Sequence, residues 1–188
     1  MSNKDGFVLE TQIDLDDEDV FPWGSYRMKY RANNMADQNE FLLKNALSLN
    51  LGGSNKVSVG RTTGAAEKYY NFDRSYLLGG MGSLAGWRSE SLIAGKFDIF
   101  HYKYSVRLYS DKNNILQNAY LNFFADTALL NNARSIAKDY QNMPGDASVA
   151  GWGAGIEGES VLNLKTILNY EYSEENAARI YFKIGNEF

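Results

Sequence analysis

Apolar and polar side chains alternate along most of the chain. Near the amino terminus Phe7, Leu9, Thr11, Ile13 and Leu15 oppose Val8, Glu10, Gln12 and Asp14. Over Ser25–Ala32, Tyr26, Met28 and Tyr30 oppose Arg27, Lys29 and Arg31. Phe41, Leu43, Leu47, Leu49 and Leu51 then oppose Lys44, Ser48 and Asn50, and Val57 and Val59 mark a short strand over Lys56–Arg61. Further on, Ala119, Leu121, Phe123 and Ala125 face away from Tyr120, Asn122, Phe124 and Asp126. Trp152, Ala154 and Ile156 face away from Gly151, Gly153, Gly155 and Glu157, and Leu164–Tyr172 alternates in the same way. In the last segment, Ala178–Phe188, Ile180, Phe182, Ile184 and Phe188 oppose Arg179, Tyr181, Lys183 and Glu187. A period of two places alternate side chains on opposite faces of an extended strand, one face apolar and one polar. Between Ser91 and Tyr109 the apolar parity switches, from Ile93, Phe97 and Ile99 to Tyr102, Tyr104, Val106 and Leu108. That switch predicts a β-bulge near Phe100–His101.

The connections set the topology. G-G-S-N at 52–55 is a tight hairpin signal. Turns are expected at 16–24, 110–115, 159–163 and 173–177, with a polar link at 33–39. Alternation stops in two longer stretches, about 62–90 and 128–147, the second with a short helix expected around Ala133–Tyr140. Short and long connections interleave. The reading is a single all-β domain over residues 1–188, an antiparallel meander of about eight or nine strands.

Composition decides which environment these strands suit. No run approaches the roughly 18–20 apolar residues that a membrane-crossing helix needs. A membrane-crossing strand needs only about 9–11 residues, with alternate positions apolar. Aromatic residues make up 14% of the chain, with 13 Tyr and 10 Phe, and there are only 2 Pro among 17 Gly. Such a mixture suits uninterrupted ladders with aromatic girdles. The fold class expected is an antiparallel transmembrane β-barrel of about eight strands, in the bacterial outer membrane and in contact with its lipids. Its polar parity would line a lumen filled by mixed charges, because an eight-stranded bore is just wide enough for side chains. An aromatic carboxy-terminal residue, Phe188, at the end of a closing strand fits the same reading. The alternative is a soluble all-β binding domain, with the polar parity as its solvated face. The segment M-S-N-K-D-G-F lacks the apolar core of a secretory signal peptide, which an exported barrel is expected to carry. A net charge of -4 argues against nucleic acid as a partner, and the absence of Cys excludes disulfides and thiol chemistry.

Within the first long loop lies G-G-M-G-S-L-A-G-W-R, residues 79–88. Gly79, Gly80, Ser83, Leu84, Gly86 and Trp87 are followed by the strand holding Phe124, Asp126 and Ala128. Then come Gly151, Gly153 and Gly155, and two strands ending in Phe. In order and spacing, from roughly residue 55 to 188, this resembles the carboxy-terminal barrel of the BamA/TamA-type outer-membrane assembly and translocation superfamily, the bacterial surface antigens. The resemblance implies a loop that folds back into the barrel and an aspartate, Asp126, as its partner in the lumen. Ala85 stands where that superfamily carries the arginine that reaches the aspartate, so the pair is broken unless Arg88 substitutes. A small residue there is closer to the barrels attached to patatin-like phospholipases. The superfamily barrel has sixteen strands, twice the number expected here.

Catalytic and metal chemistry find little support. His101 is the only histidine, in the run His101-Tyr102-Lys103. It reads as an interfacial side chain, or else as the base of an outer-membrane lipid-modifying enzyme. Gly79–Gly82 has no Lys-Ser/Thr after it and is no phosphate loop. No Gly-x-Ser-x-Gly element is present, so any lipase activity would lie in a domain outside this chain. No metal or cofactor is expected; the acidic run Asp14–Asp19 reads as a solvated turn, with a weak Ca²⁺ site as the alternative. The function expected is a non-enzymatic barrel that anchors to the membrane or inserts or translocates polypeptide. It would work through a seam between its first strand and the closing strand of Ile180, Phe182, Ile184 and Phe188. Partners expected at that seam are a second copy or a substrate β-strand.

Overall fold

The alternating segments become strands, several of them longer than their pattern marks. A computed structural model describes the chain except residues 1–6, 16–23, 36–37, 69–75, 80–82, 88–90, 132–133, 136–145, 163, 174–177 and 186–188. The strands are β1 (Phe7–Leu15), β2 (Gly24–Met35), β3 (Gln38–Asn50), β4 (Asn55–Lys68), β5 (Tyr76–Leu78) and β6 (Leu92–Ala94). They continue as β7 (Lys96–Ser110), β8 (Leu116–Asn131), β9 (Arg134–Ser135), β10 (Asp146–Ser160), β11 (Lys165–Ser173) and β12 (Ala178–Gly185). The lengthened ones are β2, β3, β4, β8 and β10. Nine of them form one antiparallel sheet in the order β1-β2-β3-β4-β7-β8-β10-β11-β12, and β5-β6-β9 form a small second sheet.

The main sheet has nine strands among the described residues, within the eight or nine expected, and it is not closed. Among the described residues β1 pairs only with β2, and β12 only with β11. In a meander of antiparallel neighbours the first and ninth strands run in the same direction. Direct pairing of β1 with β12 would therefore be parallel. The sheet nevertheless curls strongly: Asp14 and Arg27 from β1 and β2 line one cavity together with Lys165 of β11, the eighth strand in the order.

The register keeps one parity on the outer face throughout. Leu15, Tyr26, Leu47, Val59, Tyr102, Ala125, Trp152, Tyr172 and Ala178 are successive cross-strand partners over all nine strands. The neighbouring row holds Leu49, Val57, Tyr104, Phe123, Ala154, Tyr170 and Ile180. The inner face carries Glu10, Asp14, Arg27, Lys29, Lys103, Asn122, Glu157 and Lys165. Arg27 bonds Asp14 at 2.6 Å, and Lys29 pairs with Glu10 on the same neighbouring strand.

The expected bulge at Phe100–His101 is absent: β7 keeps register with β4 and β8 through those residues, and its irregularity falls at Arg107–Tyr109. The surroundings change and the strand does not slip. Phe97 and Ile99 point inward into an apolar core, whereas Tyr102 and Tyr104 point outward. That core sits at one end of the sheet and joins Leu78, Leu84, Trp87, Leu92, Ala94, Phe97, Ile99, Ala128, Leu130 and Val149.

Both long loops are shorter than expected. β4 runs on through Thr62–Lys68, and its small residues there have a physical reason: a Cβ on Gly64 would lie 2.4 Å from the Phe97 ring. β8 continues to Asn131 and β10 begins at Asp146. Arg134–Ser135 is extended and pairs with β6, which corrects the helix expected over Ala133–Tyr140 at those two residues; 136–140 lies outside the described residues. The 52–55 hairpin is present, with Gly52 and Gly53 at φ 86° and 60° and the Asn55 N–H donating to Gly52 O at 3.3 Å. These φ values lie in the region that glycine adopts without steric cost.

Candidate functional site

The segment 83–87 folds into the concave side of the sheet and is held from three directions. Two glycines make the path possible, Gly79 at φ 108° and Gly86 at φ 73°. The Gly79 N–H donates to Ser83 Oγ at 3.3 Å, and the Trp87 N–H donates to Leu84 O at 3.4 Å. Leu84 and Trp87 are fully buried in the apolar core, which drives the insertion. Trp87 Nε1–H donates to Ala150 O at 3.2 Å.

Buried carboxylates take the two amides exposed by this turn. The Ala85 N–H donates to Asp126 Oδ2 at 2.7 Å, and the Gly86 N–H donates to Glu171 Oε2 at 2.8 Å. Asp126 Oδ1 lies 2.8 Å from His101 Nδ1, and His101 Nε2 lies 3.2 Å from Thr62 Oγ1. Asn169 Nδ2 donates to Glu171 Oε1 at 3.1 Å. From the last strand, Arg179 donates to Gly86 O and Tyr181 Oη donates to Trp87 O at 2.9 Å. Hydrogen bonds to a charged group are each worth about 1.5–3 kcal/mol, so the two carboxylates and Arg179 are the strongest tethers of the turn.

The glycine stripe of β10 is the floor beneath it. A Cβ on Gly151 would lie 1.7 Å from Ala85 O. One on Gly153 would meet the Phe124 ring at 2.6 Å, and one on Gly155 would meet Asn169 Oδ1 at 2.0 Å. The stripe therefore admits three different neighbours: the loop backbone, a ring and an amide. Beyond the turn the interior is polar. Lys103 Nζ lies 2.7 Å from Glu157 Oε2, Lys165 Nζ lies 3.5 Å from Glu157 Oε1 and 3.1 Å from Glu159, and Asn122 Nδ2 donates to Glu157 at 3.0 Å.

Gly79, Ser83, Leu84, Gly86 and Trp87 are thus brought together with Asp126. At Ala85, where the arginine of the resembling barrels is missing, the backbone N–H itself, with His101, occupies the Asp126 carboxylate. Gly80, Arg88 and Phe188 lie outside the described residues. Ile180, Phe182 and Ile184 are not at this site; they are 73%, 64% and 58% exposed on the outer face. β12 reaches the loop through its opposite parity, Arg179 and Tyr181. Glu171, Arg179 and Tyr181 were legible only as inner-parity residues; nothing in the sequence linked them to a loop some ninety residues away.

The outer face is a site of another kind. Large apolar side chains stand exposed on β1, β3, β4, β7, β8, β10, β11 and β12, among them Leu9, Leu47, Val59, Tyr104, Phe123, Trp152 and Leu168. Towards the end of the sheet that holds the core, this surface turns polar. Arg61 Nε donates to Asp98 Oδ1 at 2.7 Å, and Thr63 Oγ1 donates to the same atom at 3.0 Å.

Thr62, His101 and Asp126 stand in the order of a hydroxyl–imidazole–carboxylate relay. His101 points to the inner face, and Thr62 does not line the cavity that His101 faces. Asp14 is occupied by Arg27, and 16–19 lies outside the described residues. No group of three His, Asp or Glu side chains among the described residues is placed to hold a metal ion. The sequence matches no protein-family model and no curated protein.

Proposed function

We propose that this chain is a non-enzymatic membrane β-barrel module of the bacterial outer membrane, whose outer face meets lipid and whose open edges accept β-strands. The observation that carries the reading is the outer surface. Soluble monomers seldom expose contiguous apolar patches beyond a few hundred Å², yet here outward-facing rows of Leu, Val, Ile, Tyr, Phe and Trp cross the whole sheet. Their backbone groups are paired within the ladder, as a hydrocarbon environment requires. The inward turn and its carboxylate tethers support the relation to the surface-antigen barrels that the 79–88 motif suggests.

The odd strand count supports the seam. β1 and β12 run in the same direction and both leave one edge unpaired among the described residues. An odd number of added strands restores antiparallel pairing on both sides and an even total, which single-chain bacterial outer-membrane barrels have. An edge strand is a template for another chain. A strand supplied by a partner polypeptide or a further segment of a longer chain fits that slot, whereas the edge strands of a second copy in the same membrane orientation would run parallel to β1 and β12; anchoring, insertion or translocation follows from which one supplies it. The test is detergent dependence followed by reconstitution. The protein is expected to stay in solution only with detergent and to co-float with phospholipid vesicles. A monodisperse protein without detergent that does not co-float overturns the reading.

A further inference from the structure

The cavity shared by Asp14, Arg27 and Lys165 lies at the end of the sheet away from the apolar core, and is distinct from the one that His101 faces. It measures about 260 Å³, and the function proposed above assigns it no occupant. Ser25 of β2, Ser48 of β3 and Lys56 of β4 complete its polar lining. Three cations thus stand around a single carboxylate, and that carboxylate is engaged. Asp14 accepts from Arg27 Nε at 2.6 Å and from the Gln12 amide. Lys165 is shared between Glu157 at 3.5 Å and Glu159 at 3.1 Å.

Lys56 stands apart from the others. It is half-buried on the inner parity, with Asn50 and Ser105 as its cross-strand partners. Among the described residues its ammonium makes no ion pair and no hydrogen bond. The like charges of Lys103 and Lys165 weigh on it more than the opposite charges of Glu157 and Glu159. An ammonium drawn out of bulk water without a counter-charge is costly. Neutral donors are in surplus at the same place. Arg27 spends only its Nε–H, and the Ser25 hydroxyl has no partner among the described residues. The Ser48 and Ser58 hydroxyls, 2.7 Å apart, use one proton between them and leave the other. Donors therefore approach one space from β2, β3 and β4, with Lys165 opposite, and no uncommitted acceptor meets them. A phosphate group supplies what is lacking: its oxygens accept in four directions, and guanidinium and ammonium groups bind it through short charge-assisted bonds. Against about 30 Å³ for one water molecule, the cavity has room for it.

We infer that this cavity binds a small phosphate-bearing anion, with Lys56 as its counter-charge and Arg27, Ser25 and Ser48 donating to its oxygens. The experiment is calorimetric titration of the full chain, refolded in detergent in a phosphate-free buffer, with inorganic phosphate. Nitrate at the same ionic strength is the control, a planar anion of single charge. Phosphate is expected to bind saturably and nitrate not to. Lys56→Met is expected to weaken phosphate by about tenfold or more, the loss of one hydrogen bond between charged groups. Lys44→Met removes an exposed cation of the same face that does not line the cavity, and is expected to leave the affinity within about twofold. Asp14→Asn, which removes the one carboxylate of the lining, is expected to tighten binding, and this variant carries the test if Lys56→Met does not fold. Equal binding of the two anions, no saturable binding of phosphate, a loss from Lys44→Met as large as that from Lys56→Met, or weaker binding by Asp14→Asn overturns the inference.

Discussion

Replacing Gly151 by Ala adds one methyl group at the tightest point of the molecule. The new Cβ would sit 1.7 Å from Ala85 O and 2.7 Å from Ala85 C, both backbone atoms that no rotamer change can move aside. Reaching an ordinary contact needs a shift of the turn by about 1.5 Å. The Ala85–Asp126 and Gly86–Glu171 bonds, now 2.7 and 2.8 Å, would then stretch to roughly 4 Å and cease to be hydrogen bonds. Two buried bonds to carboxylates at about 1.5–3 kcal/mol each give a loss of about 3–6 kcal/mol, a large part of a typical domain stability of about 5–15 kcal/mol. The internal control is Gly158→Ala on the same strand, where the Cβ meets only the flexible end of Leu116 at 3.2 Å. It should change stability by less than about 0.5 kcal/mol. Urea unfolding in detergent, followed by tryptophan emission, gives both values. Equal losses for the two variants would refute the claim that the turn rests on Gly151.

Three further outcomes follow from the same geometry. Gly86→Val should reduce folding yield far more than Ala85→Arg, because Gly86 is at φ 73° with its Cβ position 2.2 Å from Tyr172 O, while Ala85 borders the cavity that His101 faces; refolding yields on a heat-shift gel check this. Asp126→Ala and Glu171→Ala should each destabilise by about 1.5–3 kcal/mol, and the double variant by less than their sum, since either loss already frees one turn; denaturant melts of all three decide it. Leu168→Arg, exposed on the outer face of β11, should cost about 2–4 kcal/mol in bilayers, while Leu162→Arg in the turn after β10 should cost no more than about 1 kcal/mol; equal costs in vesicle-based unfolding would contradict a lipid-facing surface.

Strand positions were legible because alternation is a local property of the sequence. Trp152, Ala154 and Ile156 against the glycines of β10 needed no tertiary information. The pattern failed where two environments meet along one strand. Phe97 and Ile99 enter the core while Tyr102 and Tyr104 face outward, and a parity change produced by surroundings reads in one dimension as a slip. It failed too over Thr62–Lys68, where Gly64 clears room for the Phe97 ring and breaks the amphipathic pattern. Of the site, the loop residues and Asp126 were visible through the motif. Glu171, Arg179 and Tyr181 were not, because their role is set by curvature that brings the last two strands of the sheet against a turn near the middle of the chain. Each of the nine strands of the main sheet, β1 included, has its alternating segment in the sequence.

The central claim is that the outer face meets lipid while the turn at 83–87 lies inside. Trp152 is 55% exposed on the outer face, and Trp87 is fully buried in the core. Single-tryptophan variants that keep only one or the other, with Phe at the remaining tryptophans, can be reconstituted in vesicles of phospholipids brominated along their acyl chains. Strong quenching of Trp152 with little quenching of Trp87 is the predicted result. Unquenched Trp152, or equal quenching of both, would contradict the account.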